Sequence, residues 1–393
     1  MMTEVDRRSY WIWLQHALGA GSSKQNRILE TYPCLADFYE SGISAWRFEG
    51  YFTARELEKL SAFSVEQAQA LLEYSERIGQ RVVTPECANY PEPLRHIHNA
   101  PCVLYVKGEL PDFTLLPAIS VVGTRKATAT GISAAHSFAY SLARRGVVVV
   151  SGGALGIDTA AHKGALQAGG KTVCVLGCGI DFNYLMANAS LRDAIAVNGA
   201  VISEYPPNTQ AVNSNFPIRN RIISGLSLGT LVVEAAGKSG SLITADYALE
   251  QGRDVFAIPS GIYSPVSQGV NNLIKNGAKP VSWPEEILEE YSSRFPGLLN
   301  EEDAGINVVV SKAPVSEQPH PGLKPNRELP DESTFSAEAV SLYYALSGVP
   351  QHITALAAQA GLSIPVLLRA VTELELAGKI QSYSGRRYSL PHG

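Results

Sequence analysis

Between residues 118 and 260 the chain repeats one pattern: a short apolar run, a glycine-containing turn, then a stretch of helical length. The runs fall at 119–122, 147–150, 172–176, 200–203, 229–233 and 255–258. They do not alternate polar with apolar positions, so both faces of each strand must be covered. Segments of helical periodicity at 131–144, 157–168 and 241–251 separate them. Strands of this kind alternating with helices form a parallel sheet with helices on each side. The fold class is therefore α/β, a Rossmann-like doubly wound parallel sheet, occupying 118–290.

The flanks read differently. Residues 1–79 carry helical patterns at 10–18, 23–32, 35–40, 54–60 and 65–79, a small helical domain of SAM or helix-hairpin-helix type. Its turn Gly19-Ala20-Gly21-Ser22 either offers backbone N–H groups to a phosphate or is a plain helix–helix turn, and Lys24 alone backs the first reading. Residues 80–117 are rich in proline, with one strand-like run at 103–107, and read as a connecting region. Residues 291–334 turn to Pro, Ser, Glu and Asn, the composition of a flexible linker. The last block, 335–393, shows three helical runs and a hairpin through Ser384-Gly385, a winged helix. Its would-be recognition helix presents only Arg369 and Lys379 to DNA, which favours a protein contact or an accessory DNA role over base reading.

Composition narrows the function. There is no apolar window long enough to span a membrane and no signal-peptide core, and the five cysteines are odd in number and scattered in apolar surroundings. A cytoplasmic protein with reduced thiols and no membrane association is expected. Cys174 and Cys178 lack a second ligand pair at metal spacing, so no metal is expected. The net charge is −5, yet residues 118–283 hold 13 Lys/Arg against 8 Asp/Glu. That local surplus suits phosphate binding, and ordinary scatter explains it equally well.

The chemistry concentrates in strand-to-helix turns, where ligands of parallel α/β sheets bind. Gly123-Thr124-Arg125-Lys126 follows the first run, its glycine turning the chain and Arg125 offering a planar fork for phosphate oxygens. Ser151-Gly152-Gly153-Ala154-Leu155-Gly156 follows the second as a phosphate-cradling loop, and tight strand–helix packing is the other reason for such glycines. In Phe216-Pro217-Ile218-Arg219-Asn220-Arg221, the arginines are two apart and diverge on a helix. One can serve a ligand while the other anchors to a carboxylate such as Glu234. Phe216 is either a face for an unpaired base or a core residue. Ser239-Gly240-Ser241 adds another helix start open to anions. No acidic residue suitable for a ribose ends the next strand, so no dinucleotide cofactor is expected. Asn271, Leu273, Ile274 and Pro280 form either a self-associating surface or a buried helix.

Several runs together resemble the DNA-processing protein A (DprA/Smf) family. They are Val121-Val122-Gly123-Thr124-Arg125, Ser151-Gly152-Gly153-Ala154-Leu155-Gly156-Ile157-Asp158, Val175-Leu176-Gly177-Cys178-Gly179-Ile180-Asp181, Ser203-Glu204-Tyr205-Pro206, Phe216-Pro217-Ile218-Arg219-Asn220-Arg221 and Ser239-Gly240-Ser241-Leu242-Ile243-Thr244-Ala245. The resemblance implies single-stranded DNA binding, protection of incoming strands, loading of RecA recombinase onto them in natural transformation and homologous recombination, and a homodimer. Arg125, Phe216, Arg219 and Asn220 match family positions. Leu155 departs from the Lys or Arg that many members carry, and Tyr184-Leu185 stands in place of Tyr-Pro. The expectation is a binder and not an enzyme. Two alternatives stand beside it. One is a phosphoribohydrolase-like nucleotide enzyme using Asp158, Asp181, Glu204 or Glu234, and the other a duplex-reading regulator acting through the winged helix.

Overall fold

Nine strands form one sheet in the first of two units, Met1–Val308 and Val309–Gly393, of a computed structural model that describes residues 5–297, 335–347, 351–383 and 387–390. Beyond residue 297 the expected linker lies outside the described residues, as does the Ser384-Gly385 turn. The strands are β1 (Arg81–Val83), β2 (Leu104–Gly108), β3 (Ala118–Val122), β4 (Val148–Ser151), β5 (Thr172–Leu176), β6 (Ala200–Ser203), β7 (Gly229–Val232), β8 (Asp254–Ala257) and β9 (Lys279–Pro280). Their spatial order is β1-β2-β6-β5-β4-β3-β7-β8-β9.

Strands β3 to β9 are parallel, while β2 runs antiparallel to β6 and β1 antiparallel to β2. Residues 80–117 thus do more than connect: they widen the sheet by two strands. The chain leaves β3 towards β4, β5 and β6, then crosses back to β7 on the other side. That reversal between β3 and β7 is the topological switch at which such sheets leave a crevice. Strands β3 to β7 are buried along their whole length, as runs apolar on both faces require.

Helices α1 (Arg7–Leu18), α2 (Lys24–Thr31), α3 (Leu35–Phe48), α4 (Ala54–Ala62) and α5 (Val65–Arg77) precede the sheet, and α6 (Glu92–Arg95) lies between β1 and β2. The connections beyond β3 carry α7 (Ala129–Arg144), α8 (Ile157–Gln167), α9 (Ala189–Asn198), α10 (Asn215–Gly225), α11 (Gly240–Glu250) and α12 (Gln268–Lys275), and α13 (Glu285–Tyr291) follows β9. Thr53 with Glu56, and Ser64 with Gln67, close capping boxes that start α4 and α5. Helices α7 and α8 pack closely because Gly164 leaves no gap; a Cβ there would stand 2.3 Å from the His136 carbonyl oxygen.

The N-terminal helices do not keep a separate core. One apolar cluster joins Trp11, Trp13, Leu14, Phe38 and Trp46 to Val103, just before β2, and to Tyr105, Cys174, Leu176 and Val201 of the strands. The indoles find polar partners inside it, Trp13 donating to the Leu60 carbonyl at 3.0 Å and Trp46 to that of Phe38 at 2.7 Å.

The second unit holds α14 (Ala337–Ala345), α15 (Ile353–Ala360) and α16 (Ile364–Leu376) over a small sheet of β10 (Gln351–His352), β12 (Arg387–Ser389) and β11 (Gln381–Tyr383), in that order. This is the expected winged helix, with β10 as a strand that its two residues were too few to announce. Among the described residues no helix is long and apolar enough to cross a membrane.

Candidate nucleic-acid interface

A cavity of about 370 Å³ opens at the carboxyl ends of β3 and β7, where the strand order reverses. Its walls come from Gly123 to Lys126 after β3, from Phe216, Arg219 and Asn220 on α10, and from Ser239, Gly240 and Ser241 at the start of α11. Most of the lining was thus expected from the sequence, though its segments are spread over more than 100 residues of chain.

The first turn is rigid. A Cβ on Gly123 would stand 2.6 Å from Ile157 Cγ1 and 2.9 Å from the Glu234 carbonyl oxygen, so only glycine fits between β3 and α8. Thr124 donates its N–H to that same carbonyl at 2.8 Å. Glu234 itself is spent on the start of α7, where Thr128 donates both N–H, at 2.9 Å, and its hydroxyl to the carboxylate. Neither arginine of α10 reaches Glu234, contrary to the anchor suggested by sequence. Held on this frame, Arg125 and Lys126 stay exposed. The Arg125 guanidinium carbon lies 5.2 Å from the centre of the Phe216 ring, a cation–π contact at the cavity mouth. Tyr184, not singled out as a site residue, adds a second ring 5.4 Å from Phe216 at a tilt of 35°. Phe216 is only half-buried.

The two arginines of α10 part company, as their spacing requires. Arg219 is 5% exposed and forms part of the cavity floor beside Asp158, with Nη1 donating to the Val175 carbonyl. Burial pushes the Asp158 carboxyl above its ordinary value, with Arg219 working against the rise, and pulls the Arg219 guanidinium below its own. Arg221 is 0% exposed and donates through Nη2 to both carboxylate oxygens of Glu204, at 2.7 and 2.8 Å. It has no access to DNA, and its expected place among the DNA-contacting residues is corrected: it anchors the helix, and Glu204 is the anchor.

The second glycine loop is also corrected. Ser151, Gly152 and Gly153 are buried, and neither they nor Gly156 line the cavity. Ser151 donates its hydroxyl to the Val121 carbonyl at 2.7 Å. A Cβ on Gly152 would stand 2.2 Å from Arg219 Nη1, and one on Gly153 would stand 2.5 Å from Cys174 Sγ. Gly156, at φ +82°, has no room against the Thr124 carbonyl. Close packing, the alternative already open for these glycines, is what they serve.

The α11 start is a capped helix end at the cavity wall. Ser239 caps the helix by accepting the Ser241 N–H, Asn220 donates to the Gly240 carbonyl at 3.1 Å, and Gly240 faces open space. Asn213 joins the lining and was missed; a lone asparagine in a loop carries no signal before the loop is placed. Of the four carboxylates considered for catalysis, Glu204 and Glu234 are engaged as described. Asp181 accepts the Asn208 N–H at 3.0 Å, and Asp158 alone borders the cavity. In the turn between α1 and α2 the Gly21 N–H donates to Glu204 Oε1 at 3.3 Å, and Lys24, the one cation that backed a phosphate there, pairs with Glu56.

Among the residues expected to self-associate, Asn271 donates to the Ser260 carbonyl, and Leu273 and Ile274 are partly buried against the core. Pro280 is exposed on β9, near the loop that leaves Ile262 79% and Tyr263 95% exposed.

Comparison with known proteins bears on the same domain. The family profile described as DNA recombination-mediator protein A matches residues 81–292, and one described as the DprA winged helix domain matches 324–386. The DNA processing protein DprA of Streptococcus pneumoniae is 46% identical over 202 residues, 51% of this chain and 71% of that one. The protein Smf of Synechocystis is 31% identical over 395 residues, 97% of this chain and 98% of that one. The X-ray structure of the S. pneumoniae protein superposes with a TM-score of 0.62 at 34% identity, covering 73% of this chain and 99% of that one. With its sheet, its winged helix and a relative matched over nearly its whole length, the chain belongs to the DprA/Smf family of DNA processing proteins.

Proposed function

We infer that this chain processes DNA as its relatives are named for doing, by holding single strands in the β3–β7 cavity without altering them covalently. The observation that carries the reading is the exposed Arg125 beside the half-buried Phe216 at one cavity mouth. A guanidinium suits a phosphate and a ring suits an unpaired base, whereas a duplex would keep its bases stacked and out of reach. The Ser239–Ser241 turn at the start of α11 supplies neutral donors on another wall.

The Arg125→Ala chain is expected to bind oligothymidylate more weakly, and its log–log salt slope should shrink by about 0.7, the share of one neutralised phosphate on a single strand. Fluorescence anisotropy across a salt series reads both. A slope equal to that of the parent removes Arg125 from the site.

Family membership supports a further reading, protection of incoming strands and delivery to RecA recombinase in the cytoplasm during transformation and homologous recombination, and RecA filament growth on precoated single strands tests it. A homodimer is supported by the exposed Ile262 and Tyr263 beside Ile274 and Pro280. An Ile274→Asp chain that sediments like the parent would count against that surface. The phosphoribohydrolase alternative rests on Asp158 at the cavity floor, and release of free base from nucleoside monophosphates would favour it.

A further inference from the structure

We propose that the N-terminal helices act as a positioning element for the nucleic-acid cavity, setting α10 in place through the Gly21 turn and the Glu204–Arg221 pair. The DNA arm of this inference rests on the single-strand reading above. Helix α10 has two working sides. Phe216, Arg219 and Asn220 line the cavity, while Ile218 and Arg221 do not. Those two meet the turn between α1 and α2: a Cβ on Gly21 would stand 2.9 Å from Ile218 Cγ2 and 3.7 Å from Arg221 Nε. The turn therefore abuts the helix without slack.

Glu204, one residue beyond β6 and 1% exposed, gathers both partners. Its carboxylate takes Arg221 Nη2 from α10 and the Gly21 N–H from the turn, and its backbone carbonyl takes Gln15 Nε2 of α1 at 3.1 Å. On the other side of α10, Asn220 passes the position on to the α11 start through the Gly240 carbonyl. One helix thus links the N-terminal turn to two walls of the cavity, a continuous packed route between regions distant in sequence. The turn gives its Gly21 N–H to Glu204, so its link to the cavity runs through α10. It acts on DNA affinity without touching DNA.

Two neighbouring glycines provide a matched test in the full chain. Gly19 and Gly21 have φ of +77° and +80°, so alanine strains the backbone at either. Only at Gly21 does the new methyl press on α10; at Gly19 nothing lies within 4 Å. Gly21→Ala is expected to weaken oligothymidylate binding roughly three- to thirtyfold, and Gly19→Ala by less than about twofold. Hydrogen exchange should quicken in 215–225 and 239–241 for Gly21→Ala alone. Adding Ile218→Ala removes the opposed methyl, and the double variant should bind like Ile218→Ala by itself. Equal behaviour of the two glycine variants, or no rescue, overturns the proposal. If the parent chain fails to bind oligothymidylate, the single-strand reading falls, and exchange at α10 still decides whether the turn positions the helix.

Discussion

Replacing Glu204 with alanine should destabilise the Met1–Val308 unit by about 3–5 kcal/mol, the usual loss when one partner of a buried ion pair is removed. The size follows from what remains. Arg221 is fully buried, and its Nε and Nη1 have no hydrogen-bond partner among the described residues, so Glu204 is its ion-pair partner in the interior. Without Glu204, a guanidinium stays in the apolar interior and the Gly21 N–H loses its acceptor. Replacing the pair together, Glu204→Leu with Arg221→Met, should recover much of the loss, because desolvating two charges offsets most of their attraction. Urea unfolding of the three chains reads the result. A single substitution costing under about 1 kcal/mol would mean the arginine escapes to water.

Acid should weaken the same unit through His162. This ring lies fully buried on α8, with Nδ1 2.8 Å from the Thr172 hydroxyl. Thr172 gives its own proton to the Val149 carbonyl, so the ring nitrogen facing it is the donor, and Nε2 has no partner among the described residues. Burial first, and nearby Arg219 second, bring its pKa down to about 3 from an ordinary 6.5. Below pH 6.5 the unfolded chain takes up a proton that the folded one refuses. Stability contributed by the neutral ring is complete above that point and falls as pH drops towards 3, by about 1.4 kcal/mol per pH unit. Asp158, its carboxyl raised by burial, works in the opposite sense and is common to both chains in a comparison. Against a His162→Gln chain, the parent's advantage should shrink by about 2–3 kcal/mol between pH 7 and 4.5. A constant difference would show the ring to be protonated in the fold.

Much of this architecture is legible in the order of residues alone. The six apolar runs of 118–260 became β3 to β8 nearly residue for residue, since strands buried on both faces leave a continuous signature. The turns after them gather at one end of the sheet, because parallel strands put every such turn at one edge, and those after β3 and β7 line the cavity. Chemistry inside the turns was less legible. That Arg219 and Arg221 diverge was visible in their spacing, but which carboxylate met which arginine depended on Glu204, whose partner Gly21 lies 183 residues away. The cradle reading of Gly152 and Gly153 failed because the space above them belongs to Arg219 and Cys174. Strand β2 showed as the run at 103–107, but β1 was hidden among the prolines of 80–117, and the antiparallel joining of β2 to β6 is a long-range choice that local pattern does not encode.

The far margin of the sheet has a consequence for assembly. Strand β9 is two residues long and ends at Pro280, which has no N–H to offer. A further strand laid alongside would find almost no ladder to join, so this margin is closed to β-augmentation and to runaway stacking of copies. Any pairing of two molecules there must rely on side chains such as Ile262 and Tyr263, which leaves the association adjustable by single substitutions.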